Sequence, residues 1–376
     1  MNSPRSVFRS GNPLMEEAAL RAGQAFVKFA GRAAVVVNGP DRLGWLNNLT
    51  TAPLVTLKPG SSMEGLILDP AGHVSHAFAA VDSGEATWLL PDEGRAQALA
   101  DFLESMRFMM RVEISIRPVA VYGTLIECSQ LPEAAVAHAR YVWEDPWPRI
   151  TAGGTHYGLE DAVHPARDVY RTAVVADLEQ SEPLEQALEA AGLQPVSEGA
   201  WEAARVVDFR PRPNREILAE GVLPHELDWL RTAVWLNKGC FPGQETVAKV
   251  VNMGKPPRRL VFLYLEGPDG DLPAPGAGVS TGGAPVGVLT SVALDYEKGP
   301  VALALLKRTV PLEAVLTIDG GQGIGEGSGF IATQEMIVSP EGRSAASPKE
   351  NPAIQLRRAR AAMGEDQKPK PRGQRE

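Results

Sequence analysis

A chain of 376 residues with 44% hydrophobic side chains can bury a large core and is too long for one ordinary domain. Its formal charge of −9 argues against a dedicated nucleic-acid binder, which would carry a basic face. Two cysteines, Cys128 and Cys240, are too few for a disulfide scaffold or for the four thiolates of an ordinary iron–sulfur cluster.

In chain order, residues 1–19 read as a flexible lead-in, and the spacing of "EEAALRAGQAFVKF" predicts a helix. "AAVVV" (33–37) is a buried strand, and "NGPDRLGWLNNL" opens a helix with Pro40 and Asp41 near its start. "SMEGLILDPAGHVSHAFAAVD" predicts a hairpin around the turn Asp69-Pro70-Ala71-Gly72. A strand "EATWLLP", an amphipathic helix over 91–106 and a strand "RVEISI" follow. This order predicts an α+β layer with helices on one face of an antiparallel sheet.

"VAVYGTLIE" and "DVYRTAVVAD" are further strands, 145–165 is mostly loop, and helices are expected over 182–191 and 199–207. "DFRPRPNREILAEG" reads as a proline- and charge-rich loop, and "PHELDWLRTAVWL" as helix-like. After Pro256-Pro257, short strands between Gly/Pro turns predict a small β-barrel or sandwich over 257–338. Residues 339–376 hold nine Lys/Arg and five Asp/Glu, a balance of +4, and few apolar side chains, so a disordered tail is expected, with a transient helix at "AIQLRRARAAM". The absence of a signal-peptide core and of any long apolar run predicts a soluble protein of a reducing cytoplasm, with no membrane partner.

The strongest chemical constellation is "WLNKGCFPGQETVAKV" (235–250). Lys238 lies two residues before Cys240, and Pro242-Gly243 precedes the helix-like "QETVAKVV"; a nearby cation and a helix N-terminus both favour a thiolate. Glycines 239 and 243 leave room for backbone turns and for a ligand. A small buried structural cysteine is the competing reading. "QGIGEGSG" (322–329) lacks the Gly-Lys-Ser/Thr of a phosphate loop and reads as turn glycines. His73 and His76 on a strand would face opposite sides, a poor geometry for a shared metal, and no metal site is expected.

"KGCFPGQE" (238–245) closely resembles the signature of YgfZ-type folate-binding proteins, relatives of the glycine cleavage aminomethyltransferase, or T-protein. "VNGPDRLGWLNNLTT", "GLILDPAGHVSHAF", "WEAARVV" with "LPHE", and "PVGVLTSVALDYEKGPVALALLKR" resemble further family segments in the right order, over about 25–338. The resemblance implies two interleaved ferredoxin-like α+β subdomains, about 20–118 and 119–256, around a central folate channel, plus the C-terminal barrel. It implies a folate-binding accessory protein for assembly or repair of iron–sulfur enzymes, with those enzymes or their assembly machinery as partners. The ligand would be tetrahydrofolate or a one-carbon derivative.

Within that resemblance Cys240 is the reactive thiol, and Lys238 tunes it or contacts an anionic group. Gly239, Phe241, Gly243, Gln244 and Glu245 shape the loop or contact the ligand, and Arg205 is a candidate to hold a folate carboxylate. The carboxylate pair of the aminomethyltransferases is absent from the hairpin, where Ser75 and His76 stand. A folate-dependent aminomethyl or methyl transferase is therefore the alternative, and a non-catalytic scaffold of the same fold the third reading.

Overall fold

The structure, a computed structural model, describes residues 11–267, 271–319, 329–348 and Arg358. The lead-in over 1–10, the glycine run over 322–328 and nearly all of the tail beyond 348 lie outside the described residues, as does most of the expected tail helix.

Helix α1 spans Pro13–Arg21, starting inside the expected lead-in over 1–19 and running into the expected helix that begins at Glu16. Asn12 caps it by accepting from the Leu14 N–H at 3.1 Å, and Gly23, with φ of +69°, follows its C-terminus. The helix expected to continue through "GQAFVKF" stops there. Strand β1 (Ala25–Phe29) takes its place, because β-branched and aromatic residues at this point pair with two neighbours rather than coil.

Next come β2 (Ala33–Asn38), α2 (Arg42–Leu49), β3 (Ser62–Leu68), β4 (Val74–Asp82), β5 (Ala86–Pro91) and α3 (Ala96–Ser105). The β3–β4 turn is the expected one. Gly72 has φ of +88°, and the Asp69 carboxylate accepts from the His73 N–H at 2.8 Å. Strand β6 (Glu113–Thr124) fuses the two strands expected at "RVEISI" and "VAVYGTLIE". It pairs with β2 up to Pro118 and, from Val119, with β8 (Thr172–Asp177) and β1. The partner changes at the residue that has no N–H to give a ladder.

The remaining elements of this part are α4 (Glu133–Val136), β7 (Tyr141–Glu144), α5 (Ser181–Ala190), β9 (Gln194–Val196), α6 (Glu198–Val207), α7 (Pro213–Glu216) and α8 (Gln244–Asn252). The sheet runs β3-β4-β5-β2-β6-β1-β9, with β8 on β6 and β7 on β8; its pairs are antiparallel except β1 with β9. It folds across β6, so that β7 packs on β3 and β4. Val36, Trp88 and Leu90 of one half meet Val121, Trp143 and Val175 of the other in one apolar cluster. The outer faces are covered separately, by α2 and α3 on one half and by α4 and α5 on the other. Each half is therefore an α+β layer with its helices on the outer face, the fold class expected.

"PHELDWLRTAVWL" is not a helix. A short 3-10 turn over Pro224–Leu227 ends at Asp228, whose φ is +55°, and residues 222–234 are buried on every side. A segment whose polar and apolar side chains are all buried has no exposed face to set a helical period. Strands β10 (Arg258–Glu266), β11 (Gly278–Thr281), β12 (Ala284–Asp295), β13 (Gly299–Lys307), β14 (Leu316–Ile318) and β15 (Phe330–Met336) close a six-stranded antiparallel barrel, as expected. Beyond it, residues 339–346, expected in the disordered tail, run back over the body: the Ser339 N–H donates to the Tyr157 carbonyl and the Ala345 N–H to that of His156. Among the described residues no helix is long and apolar enough to cross a membrane.

Helix α1 is fastened to the barrel by a buried carboxyl. Glu17 is closed to solvent, accepts from the Tyr296 N–H at 3.0 Å and pairs with Arg21. Burial, and then the adjacent Asp295, raise its pKa from 4.5 to about 8. The folded chain therefore holds a proton that an unfolded glutamate has released. Stability from this group is present below about pH 4.5 and drains away as the pH rises to about 8. Urea unfolding of Glu17→Gln should show a flatter pH dependence than the parent between pH 5 and 8; parallel profiles would contradict this reading.

Candidate functional site

Two regions carry unusual chemistry, and they are distinct. The first is a cleft of about 140 Å³ between the two halves of the folded sheet. Its apolar walls are Phe29, Phe78, Trp143, Trp201 and Trp229, and its polar wall is the segment that ends α6 and leads into α7. Phe209, with φ of +58°, breaks α6 and turns the following residues inward. The loop expected at "DFRPRPNREILAEG" thus has its first residues, Asp208 to Pro211, buried.

Arg210 is the centre of this wall. Its Nε donates to Asp145 Oδ2 at 2.9 Å and its Nη2 to Glu64 Oε1 at 2.6 Å, with the guanidinium 5.0 Å from the Trp147 ring. Burial alone would lower the Arg210 pKa; Asp145 and Glu64 more than offset it and the pKa is raised. Glu64 also accepts from Trp229 Nε1 at 2.9 Å and from the Thr232 hydroxyl. Arg171 donates from Nη2 to Asp208 Oδ2 at 2.6 Å and lies 4.5 Å from the Trp201 ring. Here burial prevails over Asp208 and Asp145, and the Arg171 pKa is lowered. Arg212 grips Asp92 and Glu202; burial would raise the Glu202 pKa, but Arg205 and Arg212 hold it at about 2.

Arg205 lines the cleft, but its guanidinium is engaged by the protein. Nε donates to Glu202, Nη1 to the Arg210 carbonyl and Glu216, and Nη2 to the Ser291 hydroxyl. A ligand carboxylate would have to displace those partners. Sequence reasoning passed over Glu64, Asp145, Arg171 and Arg210. The available signals were a lone glutamate in the apolar strand "SMEGLIL" and the alternation of Arg with Pro in "FRPRP".

The second region is the 238–245 loop. Cys240 is exposed, and it is not among the residues lining the cleft. Lys238 Nζ donates to the carbonyls of Asn47 and Thr50, at the end of α2, and lies 5.2 Å from the Phe241 ring. Burial lowers the Lys238 pKa to about 8, with Cys240 pulling the other way. Phe241 is buried, whereas Gly239 has open space around it and Glu245 is exposed. Gln244 Nε2 reaches the Lys238 carbonyl at 3.5 Å, closing the loop on itself. Gly243 has φ of +77°, and a Cβ there would stand 2.7 Å from the Asp69 carbonyl. The loop is thus pressed onto the β3–β4 turn, whose stem carries Glu64 and Ala77 into the cleft. Helix α8 begins directly after Gly243.

His73 is paired with Asp69, while His76 packs 5.4 Å from Phe102, so the two share no partner. Among the described residues no group of three or more His, Cys, Asp or Glu could hold a metal ion.

No family model matches the chain. A segment of 106 residues, 27% of this chain, is 37% identical to a chloroplastic protein of Arabidopsis thaliana provisionally named a transferase; the match spans 22% of that protein's length. The chain as a whole is similar in structure to glycine cleavage system aminomethyltransferase T from Bartonella henselae. The TM-score is 0.64, over 88% of this chain and 90% of the other, at 16% sequence identity. This likeness is one of fold: a T-protein-like body of folded sheet and closed barrel.

The two thiols differ in setting. Cys128 is partly buried, and its pKa is raised by burial and then by Glu144 and Glu127. Limiting iodoacetamide near pH 7.5, followed by peptide mass mapping, should therefore label Cys240 well before Cys128. Preferential labelling of Cys128 would contradict the arrangement.

Proposed function

We propose that this chain is a cytoplasmic folate-binding accessory protein for the assembly or repair of iron–sulfur enzymes. It would hold tetrahydrofolate or a one-carbon derivative in the cleft and present Cys240 to its partners. The observation that carries the reading is the cleft: aromatic walls and a buried polar network sit between the two sheet halves of a T-protein-like fold. Flat aromatic faces suit a conjugated ring system, and directional N–H groups suit its carboxylates. A reduced folate, when bound, carries one-carbon units at its ring nitrogens. The protein's part is to enclose and orient it.

Cys240 supports the second half of the reading. It is exposed on a loop pinned by Lys238 to α2 and by Gly243 to the β3–β4 turn, so the thiol is displayed from a fixed frame. The Lys238 ammonium two residues before it is held by the carbonyls of Asn47 and Thr50, which fixes the loop's N-terminal side. Client iron–sulfur enzymes or their assembly machinery are the partners this display would serve.

A folate-dependent transferase is the second reading, favoured by the likeness to aminomethyltransferase T and by the provisional name of the plant relative. Against it, Glu64, Asp92 and Asp145 in the cleft are each ion-paired with arginine. A carboxylate whose oxygens are held by arginine is not placed to reach a substrate proton.

Calorimetry with tetrahydrofolate should give saturable binding that Cys240→Ala leaves unchanged, since the thiol does not line the cleft. Cells carrying only Cys240→Ala should lose activity of iron–sulfur enzymes. Absence of tetrahydrofolate binding would contradict the folate half, and full cluster-enzyme activity would contradict the thiol half. Turnover of an aminomethyl donor by purified protein would promote the second reading.

A further inference from the structure

Five arginines line the cleft, and they divide into two kinds. Every guanidinium nitrogen of Arg205 and Arg212 has a protein partner. Arg32, Arg171 and Arg210 each keep one buried nitrogen without a hydrogen-bond partner among the described residues: Arg32 Nε, Arg171 Nη1 and Arg210 Nη1. Arg171 is 5% exposed and Arg210 8%, so neither can satisfy its free donor with bulk water. The two are close, because both guanidinium groups approach the same oxygen, Asp145 Oδ2, at 3.9 Å from Arg171 and 2.9 Å from Arg210. Leaving a buried donor unmade is unfavourable, and more so when it is charged.

The carboxylates of the cleft are committed. Asp145 accepts from Arg210 and from the Trp147 N–H, Glu64 from Arg210, Trp229 and Thr232, and Asp92 from Arg212 and the Asn214 N–H. The side chains left unpaired at this wall are therefore donors. Net charge does not create this preference. Five arginines against three carboxylates in the lining give 5 − 3 = +2, and Glu202, Asp208 and Glu216 behind them bring the sum to −1. The unpaired, buried guanidinium nitrogens of residues lining the cleft create it instead.

We propose that the cleft takes a carboxylate attached to an aryl group through a short arm, acid end inward. Its oxygens accept from Nη1 of Arg171 and Arg210, and its ring lies against the wall of Trp143, Trp201 and Trp229. This rests on the folate reading in one respect only: within a folate, the half that enters is the p-aminobenzoylglutamate and not the pterin. A pterin offers a row of N–H groups on its pyrimidine edge and would need a free carboxylate, which this wall does not present.

The test compares three probes on the unaltered protein by calorimetry: p-aminobenzoylglutamate, 6-methyltetrahydropterin and tetrahydrofolate. The expected result is that p-aminobenzoylglutamate binds and competes with tetrahydrofolate, while the pterin does neither. Arg171→Lys keeps a charge beside Asp208 but loses the fork, and should weaken p-aminobenzoylglutamate by roughly 10–100-fold. Failure of p-aminobenzoylglutamate to bind overturns the proposal whatever the pterin does; pterin binding in that case leaves the folate reading intact. Binding of p-aminobenzoylglutamate without tetrahydrofolate supports the acid pocket and removes the folate reading.

Discussion

The contact on which the rest depends is Arg210 lying between Asp145 and Glu64. Asp145 follows β7 in one half of the sheet, and Glu64 lies on β3 in the other. One side chain from the end of α6 therefore couples both halves. Burying a guanidinium and two carboxylates is costly unless every charge is matched, and removing one partner of such a set typically costs about 3–5 kcal/mol. The halves cannot be drawn together over this region by apolar packing alone, because charged groups and their geometry occupy it. The cleft is space that the polar lattice keeps open.

The same lattice extends to the barrel. Glu216 of α7 receives Arg205 on one side and the hydroxyls of Thr290 and Ser291 on the other. Those two residues sit where the register of β12 shifts between Leu289 and Ser291. A bulge lets adjacent side chains turn to the same side, so both can meet one carboxylate. Strand pairing, helix end and cleft wall are in this way parts of one arrangement. The thiol loop stands apart from it, joined through the β3–β4 hairpin, whose turn receives Gly243 and whose stem enters the cleft. The binding proposed for the cleft and the chemistry proposed for the thiol would then vary independently unless that hairpin moves.

Legibility in the sequence followed periodicity. The hairpin, α2, α3 and the barrel strands β10, β12, β13 and β14 announce themselves by alternation, amphipathic spacing and turn residues, and each is found where it was expected; β11 and β15 are too short or too polar to show that pattern. "PHELDWLRTAVWL" misled because all its faces are buried, and "GQAFVKF" because a short strand between two others was read as a continuation of the preceding helix. Folding of the sheet across Pro118 depends on partners far apart in sequence and has no local signature. At the site, the cysteine motif was visible as a motif, but the cleft was not. Its arginines and carboxylates come from the turn between β1 and β2, β3, the turn after β5, the segments flanking β7 and β8, and the end of α6. "DFRPRP" reads as an exposed loop because charges and prolines usually are exposed; here each charge is buried against an opposite one from a distant segment.

The central claim is that ligand binding belongs to the arginine-lined cleft and the reactive sulfur to a separate, exposed loop. A crystal structure of the protein soaked with tetrahydrofolate tests it most directly. The account predicts ligand density between Trp201 and Arg210, with the Cys240 sulfur out of contact with it. Density seated instead on residues 238–245, with the cleft unchanged, would contradict it.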